Sequence, residues 1–173
     1  NRELRDMLYT VQLEPRGPVA IRYPRGYSRQ ASWKHPFRRI PVGKARKLQQ
    51  GIAVAVLTLG PLGQTIREVL GETENPEAFG HYDFRFAKPL DREALREIAL
   101  AYGQVVTLED GCREGGFGSA VLEALAEMGY SGKVHRLGIP DAFPGHATTQ
   151  ELYEELGLDK ASLLRTLNNL THE

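Results

Sequence analysis

The chain has 173 residues, and its 22 Lys and Arg balance 22 Asp and Glu, so no net charge marks it for nucleic acid, membrane surface or acidic substrate. A single cysteine, Cys112, excludes an internal disulfide and fits a reducing cytoplasm. No apolar run approaches the ~20 residues of a membrane span, and the first residues lack the charged and apolar regions of a signal peptide, so neither a membrane nor a secretory route is expected.

In chain order, Leu4, Leu8 and Val11 recur at helical spacing, and Val19, Ile21 and Tyr23 alternate as in a strand. One helix and one strand make no core of their own, so residues 1–25 are expected to be the tail of a preceding domain. Arg22-Tyr23-Pro24-Arg25-Gly26 closes that strand. Pro24 stiffens the corner, Gly26 lets the chain turn away, and two guanidinium forks suit phosphate oxygens. Arg22 and Arg25 are both candidates for a phosphate; Arg22, one strand position short of alternation with Arg25, also reads as a brace of the corner, with Tyr23 packed beneath. A pair of solvated surface arginines is the plain alternative. Residues 26–41, polar, basic and carrying Pro36 and Pro41, read as a surface linker.

The charge is unevenly spread. Between Glu14 and Glu68 there is no carboxylate, while eleven of the 22 Lys and Arg lie there. With Tyr23, Tyr27, Trp33 and Phe37 interleaved, the stretch resembles a surface that tracks phosphates and stacks bases. No recognition helix, zinc knuckle or aromatic-strand motif accompanies it, and the pI is near neutral, so no nucleic-acid partner is expected. Pairing with carboxylates elsewhere in the chain is the simpler reading.

Residues 42–173 are regular. A strand near 42–48 leads through a Gln50-Gly51 turn to a continuously apolar strand at 52–59, which implies burial on both faces. Gly60-Pro61 opens a helix to Leu70 with Leu62, Ile66, Val69 and Leu70 on one stripe. A strand at 81–86 precedes a helix capped by Asp91 with Leu95, Ile98 and Ala99 inward. A strand at 104–108, a helix at 118–128 and a strand at 134–137 follow. Thr148 with Glu151 forms a capping box before a short helix, and a last helix spans 160–170. The alternation predicts a three-layer α/β/α domain with a five-stranded mixed, mostly parallel sheet. The first strand, joined to the second by a tight turn, is expected to run antiparallel to the rest.

Ligands of open parallel sheets sit at the carboxyl ends of the strands. There, Glu109-Asp110 precedes Gly115-Gly116-Phe117-Gly118 at a helix start, whose amides suit an anion. The spacing is not that of a Walker loop, and close packing across a subunit interface explains the glycines as well. Adjacent strand residues point to opposite faces, which argues against Glu109 and Asp110 as an acid and base pair. His35, His81, His135, His146 and His172 are scattered without metal-ligand spacing, so no metal site is expected; His146 reads as part of a structural turn.

Taken in order, Arg22-Tyr23-Pro24-Arg25-Gly26, Gly80-His81-Tyr82-Asp83-Phe84-Arg85-Phe86-Ala87-Lys88-Pro89-Leu90-Asp91, Val106-Thr107-Leu108-Glu109-Asp110-Gly111, Gly115-Gly116-Phe117-Gly118-Ser119 and Leu137-Gly138-Ile139-Pro140-Asp141 closely resemble the C-terminal third of the 1-deoxy-D-xylulose-5-phosphate synthases, transketolase-like thiamine-diphosphate enzymes. The resemblance covers almost the whole chain. It implies a transketolase C-terminal-type domain at 42–173, preceded at 1–25 by the end of a pyrimidine-binding domain. It further implies a cytoplasmic homodimer that condenses pyruvate with glyceraldehyde 3-phosphate and releases CO₂. Thiamine diphosphate and Mg²⁺ would be held by motifs absent from these residues, so no catalytic, cofactor or metal residue is assigned here and the piece alone is expected to be inactive. Arg25 would meet the substrate phosphate. The same domain type also occurs in transketolase and in 2-oxoacid dehydrogenase β-subunits; the Arg-Tyr-Pro-Arg-Gly and Gly-Ile-Pro-Asp segments favour the synthase.

Overall fold

Three of the helices begin where an N-cap side chain satisfies their free amides. In the computed structural model, which describes residues 2–13, 17–24 and 34–172, helix α1 spans Arg2–Leu13. Five strands follow: β1 (Arg46–Gln49), β2 (Val54–Leu59), β3 (Phe79–Asp83), β4 (Gln104–Cys112) and β5 (Lys133–Ile139). The remaining helices are α2 (Leu62–Leu70), α3 (Arg92–Ala101), α4 (Phe117–Glu127), α5 (Thr149–Glu155) and α6 (Lys160–Leu170). Asp91 accepts from Ala94 N at the start of α3, Thr148 and Glu151 form the reciprocal capping box of α5, and Asp159 accepts from Ala161 N and Ser162 N to open α6.

The sheet order is β1-β3-β2-β4-β5, with β2 parallel to both β3 and β4, β4 parallel to β5, and β1 antiparallel to β3. The antiparallel first strand is as expected, but its neighbour is not. The Gln50-Gly51 turn points to a β1–β2 hairpin, whereas Arg46 lies opposite Asp83 and Lys47 opposite Tyr82 on β3. Both edges of β2 are taken by parallel partners, in register from Val54 with Phe79 and Gln104, which leaves β1 only the outer edge of β3. Five of the six β2 residues are buried, as its unbroken apolarity requires.

Each face of the sheet carries its own core. On one face Val54, Val56, Phe79, Val106 and Leu108 meet Leu62, Ile66, Val69 and Leu70 of α2 and Leu163, Leu167 and Leu170 of α6. On the other, Ala55, Leu57, Tyr82 and Val105 meet Leu95 and Ile98 of α3 and Phe117, Val121 and Leu125 of α4. The result is the three-layer α/β/α sandwich with a mixed five-stranded sheet.

The chain divides into two compact units, 1–42 and 43–173. In the first, the stretch expected to be a surface linker is partly bound to α1. Asp6 Oδ1 accepts from Arg38 N at 3.0 Å, and Thr10 Oγ1 accepts from Ile40 N at 2.8 Å while donating to Asp6 O at 2.6 Å. Phe37 stacks on Tyr9 with ring centroids 5.2 Å apart, and the Arg5 guanidinium lies 4.6 Å from the Phe37 ring. Residues 18–24 form no strand, contrary to their alternation: among the described residues they have no ladder partner, and Val19 is exposed. Extended backbone becomes a strand only when a neighbour takes up its amides and carbonyls.

Candidate functional site

Strands β2 to β5 run parallel, so their carboxyl ends, at Leu59, Asp83, Cys112 and Ile139, share one edge of the sheet. The first crevice expected to hold an anion is at the start of α4, and it is occupied from within the chain. Glu109 Oε2 accepts from Phe117 N at 2.9 Å, Glu109 Oε1 accepts from Gly118 N at 2.8 Å, and the residue is only 6 % exposed. The carboxylate meets the two free amides and the positive end of the α4 dipole together. The glycines follow from this placement. A Cβ on Gly116 would overlap Cys112 O and the Glu109 carboxylate, and one on Gly138 would come within 3.1 Å of Glu109 Cγ. Close approach of Glu109 therefore explains Gly116 without an external ligand.

The same turn is held from β5. Arg136 Nη1 donates to Arg113 O at 3.1 Å and to Ser119 Oγ at 2.8 Å, and Ser119 Oγ itself donates to Arg113 O at 3.0 Å and accepts from Gly115 N at 3.0 Å. Cys112, at the end of β4, is a free, exposed thiol.

Of the predicted phosphate residues, Arg22 and Tyr23 are exposed, and Arg25 lies outside the described residues. Tyr23, expected beneath Arg22, is 67 % exposed. Sequence reasoning gave no separate role to Arg85. Arg85, two residues past the end of β3, has φ +51° and donates from its backbone N to Asp83 Oδ1 at 3.3 Å. A left-handed conformation costs a non-glycine residue roughly 1–2 kcal/mol, and such conformations cluster at functional sites. It lies just beyond β3, at the carboxyl edge of the parallel strands.

Part of the basic stretch is neutralised by later carboxylates. Lys44 Nζ pairs with Glu93 and lies 3.6 Å from Asp91 Oδ1; Arg46 Nη2 pairs with Asp83 Oδ2 at 2.7 Å; Lys47 Nζ lies 5.7 Å from the centroid of the Tyr82 ring. Carboxylates pair with Lys44 and Arg46, and Lys47 lies over an aromatic ring. His81 is buried against Thr58, His135 faces Gln104 and His172 faces Glu74. Among the described residues no group of three His, Cys, Asp or Glu side chains gathers to hold a metal ion, and no helix is long and apolar enough to cross a membrane. The helix start expected to suit an anion, at α4, is filled by Glu109. The described residues therefore do not fit a thiamine diphosphate and Mg²⁺ centre.

A mixed sheet with the order β1-β3-β2-β4-β5, α2 and α6 on one face and α3 and α4 on the other places the chain in a known class. The family model described as "Transketolase, C-terminal domain" matches residues 43–163, and the chain belongs to that family. Among curated relatives it is similar to the 1-deoxy-D-xylulose-5-phosphate synthase of Bacteroides thetaiotaomicron, 47 % identical over 167 residues, which are 95 % of this chain and 26 % of that protein. The Cytophaga hutchinsonii synthase is 45 % identical over 173 residues, 98 % of this chain and 27 % of that protein. The chain thus spans about a quarter of the length of these relatives. A solved structure entitled "Split gene transketolase, inactive beta4 tetramer" is 34 % identical with a TM-score of 0.69 over 76 % of this chain and 43 % of that one. Transketolase from Campylobacter jejuni, at 17 % identity and a TM-score of 0.52 over 72 % of this chain and 18 % of that one, shares the fold.

Proposed function

We propose that this chain is the C-terminal part of a 1-deoxy-D-xylulose-5-phosphate synthase and that its own contribution to the reaction is to position substrate and pack the enzyme. The similarity to synthases along nearly the whole chain is the observation that carries this reading. The intact enzyme condenses pyruvate with glyceraldehyde 3-phosphate, releases CO₂ and forms 1-deoxy-D-xylulose 5-phosphate, a precursor for isoprenoids, thiamine and pyridoxal. Bound thiamine diphosphate with Mg²⁺ supplies the carbanion chemistry from the parts of the enzyme outside these residues.

In this reading residues 1–25 close a pyrimidine-binding domain, residues 26–41 link it to residues 42–173, and the cytoplasmic enzyme is a homodimer. Arg25 donates to the phosphate of glyceraldehyde 3-phosphate and holds the aldehyde in line for attack. Arg22 and Tyr23 shape the corner. Arg85 is the second guanidinium assigned to anion contact, because its left-handed backbone sits at the ligand-binding edge of the sheet. The isolated 173-residue chain makes no product.

Steady-state kinetics of the full-length enzyme test the reading. Arg25→Ala is expected to raise the KM for glyceraldehyde 3-phosphate at least tenfold, about 1.4 kcal/mol of lost binding, while thiamine diphosphate affinity holds. An unchanged KM removes Arg25 from the site. Turnover of a different ketose donor in place of pyruvate assigns the chain to transketolase.

A further inference from the structure

The turn before α4 has the parts of an anion cradle, and its anion is covalently built in. Two amides at the helix start point at one carboxylate, each at 2.8 to 2.9 Å from a separate oxygen. Glu109 is nine-tenths buried, and glycines wall it on two sides: Gly116 from the turn and Gly138 from β5. Both partners are donors, so only an acceptor pair satisfies them, and an amide at this position would turn an N–H₂ toward an N–H. Each oxygen of the glutamate is thus engaged by a backbone amide of its own chain.

We propose that Glu109 is an internal anion which seats the 112–116 turn and the first turn of α4, and that the space left by removing its side chain is a receptor for a small carboxylate. The claim is independent of the enzyme's activity. Strand β4 supplies the anion, α4 the amides, and Gly116 and Gly138 the clearance, so one side chain fastens β4 to the start of α4. Arg136 and Ser119 hold the same turn through different atoms, with no bond to Glu109 among those contacts.

The test uses the full-length enzyme in three sequences: the parent, Glu109→Ala and Glu109→Gln. Thermal midpoints are measured in sodium formate, sodium acetate and sodium chloride at equal ionic strength. The midpoint of Glu109→Ala is expected to fall by several degrees and to recover with formate or acetate but not with chloride, while the parent responds equally to all three salts. Equal responses of Glu109→Ala to the three salts overturn the receptor. Should Glu109→Ala not fold, Glu109→Gln keeps the volume and carries the test through amide hydrogen exchange. Exchange at Phe117 and Gly118 is then expected to quicken at least tenfold, with the amides of α2 unchanged. Parent-like exchange at both amides overturns the assignment of Glu109 as their anion.

Discussion

His81 Nε2 lies 2.9 Å from Thr58 Oγ1 in a dry layer between the sheet and α2, with His81 at 1 % exposure and Thr58 fully buried. Burial pushes the imidazole down to about 4; Asp83 opposes that shift, and Arg67 and Arg46 add to it. The folded chain therefore holds His81 neutral in the range where an unfolded chain protonates it, near its ordinary 6.5. The unfolded state binds more protons between those values, so stability is complete above pH 6.5 and is lost as pH falls toward 4. The shift corresponds to about 3 kcal/mol. Urea midpoints at pH 7 and pH 4.5 are expected to differ for the parent, with the gap narrowed in His81→Gln. An identical gap in His81→Gln removes His81 as its source.

Close backbone approach gives a second, sharper contrast. A Cβ on Gly51 would overlap the main chain at Phe79 and Gly80, whereas one on Gly103 meets nothing within 4 Å. Backbone cannot rotate away as a side chain does, so Gly51→Ala is expected to destabilise by about 3 kcal/mol or to abolish folding. Gly103→Ala is expected to stay within about 0.5 kcal/mol of the parent. Chemical denaturation of the two variants side by side checks the pair. Comparable losses in both rule out backbone overlap as the cause.

Gly51 also shows why the sheet order was not legible. Sequence reasoning treats Gln50-Gly51 as a hairpin turn because short apolar runs on either side of a glycine read as adjacent strands. What the glycine permits is contact with Phe79 and Gly80 of β3, distant in sequence and marked by no local signal, while β1 takes the outer edge of β3. Features set by nearest neighbours were legible. Asp91 as a cap, the Thr148 and Glu151 box, the α2 stripe and the burial of β2 all follow from spacing along a few residues. Glu109 was half legible. Its position before a glycine-rich helix start marks an anion site, but the alternation rule that argued against an acid and base pair does not reveal that its carboxylate is the anion. Arg85 and His81 were quoted within a motif, and their roles depend on a backbone angle and on burial that no local pattern encodes.

The basic stretch offers a test of net charge effects. Arg46 and Asp83 lie on neighbouring strands at 2.7 Å, with the Arg46 side chain 45 % and the Asp83 side chain 17 % exposed. A pair this open contributes only about 0.2–1 kcal/mol, and salt screens it. Arg46→Met is expected to lower stability by no more than that range at low salt, with the difference shrinking in 1 M sodium chloride. A loss well above 1 kcal/mol that persists at high salt indicates that the Arg46 stem, through packing at the edge of β3, matters more than its charge.

Asp91 fastens the start of the second unit with both carboxylate oxygens. Oδ1 accepts from Ala94 N at 3.1 Å and caps α3, Oδ2 accepts from Ala45 N at 2.9 Å, and the side chain is 7 % exposed. Loss of the cap alone costs about 1 kcal/mol, and leaving Ala45 N without its acceptor costs a further 1–3 kcal/mol where water cannot replace it. Asp91→Ala is therefore expected to lose about 2–4 kcal/mol. Asp91→Asn keeps one acceptor oxygen and turns an N–H₂ toward the other amide, so it falls between parent and Asp91→Ala. Which amide the asparagine abandons is read from hydrogen exchange: faster exchange at Ala45 with Ala94 protected assigns the surviving oxygen to the cap. If Asp91→Asn matches the parent in stability and in exchange at both amides, a single oxygen suffices and the two-sided role of Asp91 is refuted.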